Sequence, residues 1–531
     1  MGGFNNNKLG QKAAQLRCQI CLRKREYPMI DKLIMAYIAV MLLFQIFFQI
    51  SPMVTFLATT PLYSMQTYLG LLGGGLIVLD LFTTKRIWQG KFCILLYAIL
   101  ALAALASARM ISYGMKENLF KLCWAGIQFV LVYSCAYRLD RDRLQKYMKC
   151  LYCVLLAIWL VACVISLYQY VNQIGYMYVV NPLAKDASAN RQGFYDNRLF
   201  GIFYTLNHAA YISLFFFLLT VIFAHKEKRN YLKIWLIVVA IVLICHIILS
   251  GSRSATISLI VCVSVISWFA TRNAIRVDSR IKSVACMAIS LLVAVVCTFG
   301  YQGMKKGLSQ VPYLMEAHIQ ANNESTKNES TKNELAAAEN LNEGESILAR
   351  EGLEEDASNG RLSIWSDYIS LYNEIGLLGL SPGNYMPYVL ENHQELYIVD
   401  YIKDNYPDKY ESGIIYHVHS GYMMVYVSAG ILGILSLAVF ILLCLIRTIG
   451  IVQKNKNLSF LFIGSFALVV AGAISAALDE GLFFQNNPHT TMFWFALGIL
   501  MSEQRAEANL LEKKRENDVK NRFFNHTVRE A

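Results

Sequence analysis

The sequence lacks a recognisable cleavable signal peptide. Its first thirty residues, MGGFNNNKLGQKAAQLRCQICLRKREYPMI, are polar and basic, whereas a signal peptide has a short apolar stretch soon after a basic start and then a small-residue cleavage site. The first apolar run begins only near Leu33 and has no clean site of this kind. We therefore expect this run to stay in the membrane as a signal anchor, with residues 1–31 as a basic cytoplasmic N-terminus.

The composition excludes an ordinary soluble domain. Of the 531 residues, 56% are hydrophobic without counting glycine, while soluble proteins have roughly 45–50% apolar residues with glycine included. Apolar runs of about 18–20 residues, each long enough to cross a hydrocarbon core, recur along the chain. The sequence therefore predicts an all-α polytopic membrane protein. Its net charge of +11 is better explained by cationic cytoplasmic loops than by nucleic-acid binding.

We predict twelve transmembrane helices. Their approximate bounds are 32–51, 65–83, 92–110, 119–137, 149–171, 201–224, 232–250, 254–271, 281–300, 419–446, 458–477 and 489–503. With the basic N-terminus inside, the cytoplasmic loops are rich in Lys and Arg, as in YRLDRDRLQKYMK and HKEKRNYLK, and the outer loops are poor in them or acidic. This distribution predicts that both termini are cytoplasmic, including the charged tail 504–531, and that the protein lies in the cytoplasmic (inner) membrane.

The largest predicted outer segment is 301–418, between helices 1–9 (32–300) and helices 10–12 (419–503). It carries 19 acidic against 8 basic residues. Residues 318–357 include the repeat NESTKNESTKNE and are predicted to be low-complexity and disordered or loosely helical. Residues 358–418 are predicted to be the ordered catalytic part. There, Asn359 is a candidate helix cap before an amphipathic helix whose apolar face contains Leu362, Trp365, Ile369 and Tyr372.

Cysteine is absent from the long outer loops, which excludes a disulfide framework there. All 13 cysteines fall in predicted helices, in cytoplasmic segments or at their edges. The pairs CQIC (18–21) and CLYC (150–153) have metal-like spacing, but each lacks a second pair of ligands nearby. The sequence therefore predicts no metal site.

Arg253 stands alone between two apolar helices in the stretch CHIILSGSRSATISLIVCVSVISWF. In the predicted topology it lies at the outer face, where Gly251, Ser252 and Ser254 begin the next helix. Free N–H groups at a helix N-terminus and a guanidinium both bind phosphate oxygens. Arg253 is thus a candidate phosphate ligand, and a snorkelling arginine or one paired with a carboxylate is an equal alternative at this point.

Other polar residues are predicted at the same depth of the outer face. Arg198, Asn207 and His208 lie in NRLFGIFYTLNHAAYI, and Arg361 begins the predicted amphipathic helix. His417 and His419 lie where the chain re-enters the membrane, while Asp479 and Glu480 are the exceptional carboxylates at this depth. Clustered arginines with a histidine fit a diphosphate lipid and a proton acceptor.

These motifs, in this order, resemble the O-antigen ligase and O-antigen polymerase superfamily. The resemblance covers roughly residues 195–450 and rests on RLFGIFYTLNHAA, SGSRSA, GRLSIWSDYISLYNEIGLLGLSPGNY and HSGYMMVYVSAGILG. There are departures: Ser420 stands where the family often has Asn, and GLSPG replaces a Gly-x-Gly. The acidic repeat also looks peculiar to this chain.

The resemblance implies a metal-independent, inverting glycosyltransferase without a cofactor. Such enzymes move a glycan from a polyprenyl diphosphate carrier to an acceptor hydroxyl on the outer face, with a glycan or lipid as acceptor. Arg253, Arg361 and His419 are then the catalytic residues, with His417 a neighbour of the base. The expected substrate-binding residues are Arg198, Asn207, Ser252 and Trp365.

Three alternatives remain open. A ligase and a polymerase differ only in the acceptor, which the sequence does not contain. A flippase for lipid-linked oligosaccharide would favour internal repeats and charges deep within helices, and few such charges are found. A metal-dependent transferase would need outer carboxylates, but the only Asp-x-Asp, Asp140 and Asp142, lies in a cytoplasmic loop, where we interpret it as a solvated charged surface.

Overall fold

The structure is a computed structural model, and it describes residues 29–84, 86–139, 141–181, 189–274, 279–324, 348, 360–411, 413, 417–455 and 458–508. The CQIC pair, Asn359, Asp140 and most of the acidic repeat lie outside the described residues. The predictions for those positions therefore remain predictions.

The described chain is almost entirely helical. The first half contains α1 (Met29–Phe47), α2 (Ser51–Ala58), α3 (Met65–Thr83), α4 (Cys93–Arg109), α5 (Lys116–Arg138), α6 (Arg141–Val171), α7 (Leu206–Lys226), α8 (Asn230–Leu249), α9 (Arg253–Ala274) and α10 (Ser279–Glu324). The second half contains α11 (Arg361–Ser370), α12 (Tyr372–Ile375), α13 (Tyr385–Asn392), α14 (Tyr397–Asn405), α15 (Pro407–Glu411), α16 (Gly421–Lys454), α17 (Phe460–Leu478) and α18 (488–508). Short 3₁₀ turns occupy Pro61–Ser64, Arg86–Gln89 and Ile111–Tyr113.

The prediction of an all-α polytopic membrane protein is confirmed. Ten helices of the described chain are long and apolar enough to cross a membrane, and they coincide with ten of the twelve predicted spans. The other two predicted spans correspond to the shorter apolar helix α4 and to α18. A helix satisfies all its backbone hydrogen bonds internally, which is why apolar runs of this length adopt it in lipid.

Helix ends predicted to share one side of the membrane contact each other. At the predicted cytoplasmic side, Arg141 Nη2 lies 3.3 Å from Glu503 Oε2, and Ser459 Oγ donates to the same carboxylate oxygen at 2.5 Å. At the predicted outer side, Asn384 Nδ2 donates to the carbonyl of Met110 at 2.7 Å. The alternating helix directions therefore agree with the predicted loops.

The outer segment 172–200 contains a small sheet that the sequence did not predict. Strands β1 (Gly175–Val179), β2 (Ala189–Tyr195) and β3 (Arg198–Gly201) pair antiparallel in the order β1-β2-β3. The tight turn between β2 and β3 has positive φ angles at Asp196 (47°) and Asn197 (57°), the pair of residue types that favours a two-residue hairpin. Consequently α7 begins at Leu206, not at residue 201.

Two further expectations about the outer segment need correction. Helix α10 does not end at residue 300 but continues to Glu324, so the start of the predicted loop 301–418 is helical. The amphipathic helix α11 exists, but its buried residues are Ile364 and Tyr368, while Leu362 and Ile369 of the predicted apolar face are exposed. The helix is turned because Tyr368 packs edge-to-face on Tyr385 of α13.

Candidate functional site

A small cavity lies where α7, α9 and α11 begin, next to the start of β3. It has a volume of about 40 Å³. The residues that line it are all polar or glycine: Arg198, Asn207, Gly251, Ser252, Arg253, Ser254 and Arg361. Three arginines therefore line one space, and none of these described lining residues is acidic. Its small volume leaves room for only a few atoms.

The backbone at Gly251 turns the chain so that helix α9 begins at the cavity. Gly251 has φ +61°, a left-handed conformation that glycine adopts readily, and it turns the chain from α8 into α9. Ser252 is buried, its N–H bonds to Ser250 Oγ at 3.2 Å, and its hydroxyl lies 3.3 Å from Ser254 Oγ. The start of the 22-residue helix α9 then contributes the partial positive charge of a helix N-terminus beside the guanidinium.

Arg198 reaches the cavity from the small sheet. Its Nε donates to the carbonyl oxygen of Ser250 at 3.0 Å, in the turn before Arg253. A Cβ at Gly251 would lie 3.4 Å from this Nε, so glycine also leaves room for the arginine. The sheet therefore holds one cationic wall of the cavity against the start of α9.

His419 lies in the short segment between the outer loop and α16, and it does not line the cavity. Its backbone is left-handed, with φ +48°. Its neighbours on both sides are fixed: Trp365 Nε1 donates to the Val418 carbonyl at 2.9 Å, and Ser420 Oγ accepts from Met423 N at 3.4 Å as the cap of α16. A non-glycine residue in this conformation costs about 1–3 kcal/mol, which the surrounding contacts must offset.

The charges around His419 connect it to the cavity. Burial is the main cause that lowers the pKa of its imidazole below the ordinary value, and the positive charge of Arg361 acts in the same direction. The carboxylates of Glu480 and Asp479 act in the opposite direction. Because the net shift is downward, His419 is neutral at pH 7 and able to accept a proton.

A second histidine, His417, is held by different partners. Its Nδ1 lies 3.1 Å from Glu480 Oε1 and 3.3 Å from the hydroxyl of Tyr385. Asp479 in turn faces His208, whose Nε2 lies 3.9 Å from its carboxylate. Burial alone would raise the pKa of Asp479, but nearby His208 holds it well below its ordinary value. The lowered pKa keeps the Asp479 carboxylate ionised near His208.

The structure brings most of the predicted site residues together. Arg198, Asn207, Ser252, Arg253 and Arg361 share the cavity. Trp365, predicted to bind substrate, lies outside its lining and uses its indole N–H to hold the segment before His419. The capping role of Ser420 was missed, although serine at the start of an apolar run is a sequence signal for a cap.

Comparison with known proteins finds a family for part of the chain. The O-antigen ligase family model matches residues 238–438, a range that contains Arg253, Arg361 and His419, whereas Arg198 and Asn207 precede it. No curated protein and no solved structure matches the chain. The match covers less than half of the chain, and it confirms the predicted resemblance to the O-antigen ligase superfamily. The long apolar helices support a multi-pass membrane protein.

Proposed function

We propose that this protein is a membrane glycosyltransferase that moves a glycan from a polyprenyl diphosphate carrier to an acceptor hydroxyl at the outer face of the cytoplasmic membrane. The observation that carries the proposal is the cavity in which Arg198, Arg253 and Arg361 meet the N-terminus of α9. Bidentate guanidinium groups and helix N–H groups are the donors that phosphate oxygens prefer.

In the proposed mechanism the arginines act on the leaving group. Arg253 and Arg361 hold the diphosphate and stabilise the negative charge that grows on it as the bond to the anomeric carbon breaks. The electron pair of that bond moves onto the diphosphate oxygen. Arg198 adds a third positive charge and fixes the turn at Ser250. A diphosphate is a good leaving group, so the mechanism requires no metal and no cofactor.

His419 acts on the acceptor. The acceptor oxygen attacks the anomeric carbon from the face opposite the diphosphate, and its proton passes to the neutral imidazole of His419. Arg361 lines the cavity, and its positive charge also lowers the pKa of His419. The leaving-group site and the base are therefore neighbours. This relationship supports an in-line reaction with inversion of configuration.

The test uses purified full-length protein in lipid with a polyprenyl diphosphate oligosaccharide as donor. Release of polyprenyl diphosphate in the presence of EDTA is followed for wild type and for Arg253→Ala, Arg361→Ala and His419→Ala. The proposal expects wild-type turnover and loss in all three variants. Lys116→Ala is the matched control. It also removes a cation on the predicted outer side, at the start of α5, but Lys116 is distant in sequence from the three motifs.

The products of the same reaction separate the remaining alternatives. A ladder of glycan sizes identifies a polymerase, whereas a single transfer to a final acceptor identifies a ligase. Intact donor that crosses the bilayer without release of polyprenyl diphosphate would overturn the proposal in favour of a flippase. Full activity in the three variants would show that the catalytic residues are assigned wrongly.

A further inference from the structure

A groove of about 950 Å³ opens between α6, α7 and α8, far along these helices from the arginine cavity. It lies near the start of α6, the end of α7 and the start of α8, the ends predicted to be cytoplasmic. Leu461, at the start of α17, closes one side. Its volume is within the range of ligand sites in proteins, about 300–1,000 Å³. The catalytic proposal does not use this groove.

The groove changes from basic to apolar along its length. On α6, Lys146, Lys149 and Cys153 are followed by Leu156, Ala157 and Leu160. Apart from the adjacent pair Leu156 and Ala157, the spacing is three or four residues, which places them on one helix face. From Lys149 to Leu160 is eleven residues, or about 16 Å of helix. That length is about half of a hydrocarbon core roughly 30 Å thick, so the groove extends through one leaflet.

The other two helices repeat this polarity. α7 contributes the exposed Lys226 at the mouth and the apolar Ile222 and Phe223 below it. The lining residues of α8 are apolar and lie on one helix face, and they are Leu232, Trp235, Leu236 and Val239. The side chain of Trp235 is 61% exposed, although it lies several residues into α8 from the basic loop that precedes this helix. The walls thus suit an acyl chain and the mouth suits an anion.

Acidic groups at the mouth do not cancel its charge. The two carboxylates among the lining residues are Asp142 and Glu227, against three lysines. Glu227 Oε1 already accepts from the backbone N–H of Lys228 at 3.0 Å and of Arg229 at 3.1 Å. Lysines snorkel easily toward a headgroup while their stems cover apolar surface. Basic pockets between transmembrane helices at the cytoplasmic side are typical sites for anionic headgroups.

We propose that this groove binds one anionic phospholipid of the cytoplasmic leaflet, with its phosphate among Lys146, Lys149 and Lys226 and an acyl chain against Trp235 and Ala157. The length of one leaflet favours a phospholipid over a polyprenyl phosphate, whose chain is much longer than the groove. The site does not depend on the glycosyltransferase proposal, because it lies at the other end of the helices.

Quenching of Trp235 fluorescence by brominated phosphatidylglycerol tests this site. Full-length protein is placed in phosphatidylcholine vesicles with a rising fraction of the brominated lipid, and the signal of Trp235→Phe is subtracted to isolate Trp235. We expect half-quenching at a mole fraction at least threefold lower than with brominated phosphatidylcholine. Equal values for the two lipids would overturn the proposal, because they would indicate bulk contact only.

Two variants, each with three substitutions and the same loss of positive charge, test whether binding depends on the lysines that line the groove. Lys146→Gln/Lys149→Gln/Lys226→Gln should remove the preference for phosphatidylglycerol. Lys228→Gln/Arg229→Gln/Lys233→Gln, whose residues are exposed at the same side but do not line the groove, should keep it. The same result for both triples would refute a specific site and indicate a general surface-charge effect.

A separate variant tests the apolar part of the groove. It tests the proposal even if the variant with three lysine substitutions fails to fold. Ala157→Phe fills the groove at an exposed position of α6 with the lysines intact, and it should abolish the preference. Unchanged quenching in this variant would contradict the proposal. Competition tests the identity of the occupant. If equimolar polyprenyl phosphate displaces the brominated lipid and unlabelled phosphatidylglycerol does not, the proposed occupant is wrong. Loss of glycosyl transfer alone would leave all these results unaffected.

Discussion

Arg198 Nε donates a hydrogen bond to the carbonyl oxygen of Ser250 at 3.0 Å, across 52 residues of chain. This bond joins the small outer sheet to the turn that begins α9, and it places two arginines, Arg198 and Arg253, in the wall of one cavity. The sheet is therefore part of the candidate site and not only a connection between α6 and α7.

Arg198→Lys tests whether this bond orders the cavity. Lysine keeps the charge but cannot donate to Ser250 and present a planar fork at the same time. Since a hydrogen bond to a charged group contributes about 1.5–3 kcal/mol, we expect the KM for the lipid-linked donor to rise about tenfold or more with a smaller change in kcat. Arg191→Lys, an exposed position on β2 whose arginine pairs with Asp196, is the control. Equal kinetics for the two variants would exclude this role of Arg198.

The rate of transfer should fall at acidic pH because His419 acts as a base. Its pKa is lowered, chiefly by burial, so the imidazole is neutral at pH 7 and becomes protonated only below its ordinary value of about 6.5. Glu480→Gln or Asp479→Asn removes a charge that raises this pKa. Each should shift the acidic limb of the kcat profile to lower pH. A limb that stays in place, or that shifts upward, would argue against His419 as the titrating group.

Gly430 makes a kink in α16 that should not tolerate a side chain. Its φ of 68° and ψ of −165° are not helical, and a Cβ there would collide with the carbonyl of Leu377. Ile431 N donates to the Gly376 carbonyl at 3.1 Å beside this kink. We expect Gly430→Ala to lower stability by about 1–3 kcal/mol, measured as thermal unfolding in lipid nanodiscs. Gly450→Ala, on the same helix with open space around its Cβ position, should have little effect, and equal loss in both would contradict this account.

A buried ion cluster should stabilise the predicted cytoplasmic ends of α1, α3 and α5. Arg138 Nη1 lies 2.7 Å from Asp80 Oδ2, and its Nη2 lies 3.1 Å from Asp31 Oδ1. All three side chains are buried. Arg138→Ala would leave two carboxylates without this cation, and removal of one partner from a buried pair costs about 3–5 kcal/mol. Thermal unfolding should show a large loss for this variant and a small one for exposed Arg143→Ala. Similar stability for the two would refute the structural role.

Much of the fold could be predicted because a membrane imposes simple rules. Long apolar runs must be helical, and basic loops alternate with acidic or neutral ones, so all twelve predicted spans have a helical counterpart. The sheet was missed because its turn depends on the left-handed conformations of Asp196 and Asn197. The apolar face of α11 was misplaced because contact between Tyr368 and Tyr385 decides its rotation.

The sequence indicated which polar residues would lie close together, but not the contacts that position them. Arginines at helix starts of the outer face pointed to a phosphate site, and five of the seven predicted residues now share one cavity. Sequence alone could not place Trp365, since its hydrogen bond to Val418 crosses 53 residues. It also could not show that Glu480 raises the pKa of His419 while Arg361 lowers it, because both effects depend on tertiary packing.

The most direct test measures donor binding and a single turnover of transfer side by side, for wild type, Arg253→Ala and His419→Ala at saturating donor. We predict that Arg253→Ala loses both binding and transfer. His419→Ala should bind the lipid-linked donor like wild type but transfer it about 10²–10⁴-fold more slowly, the usual contribution of a general base. Wild-type transfer by His419→Ala, or wild-type donor affinity in Arg253→Ala, would contradict the central claim.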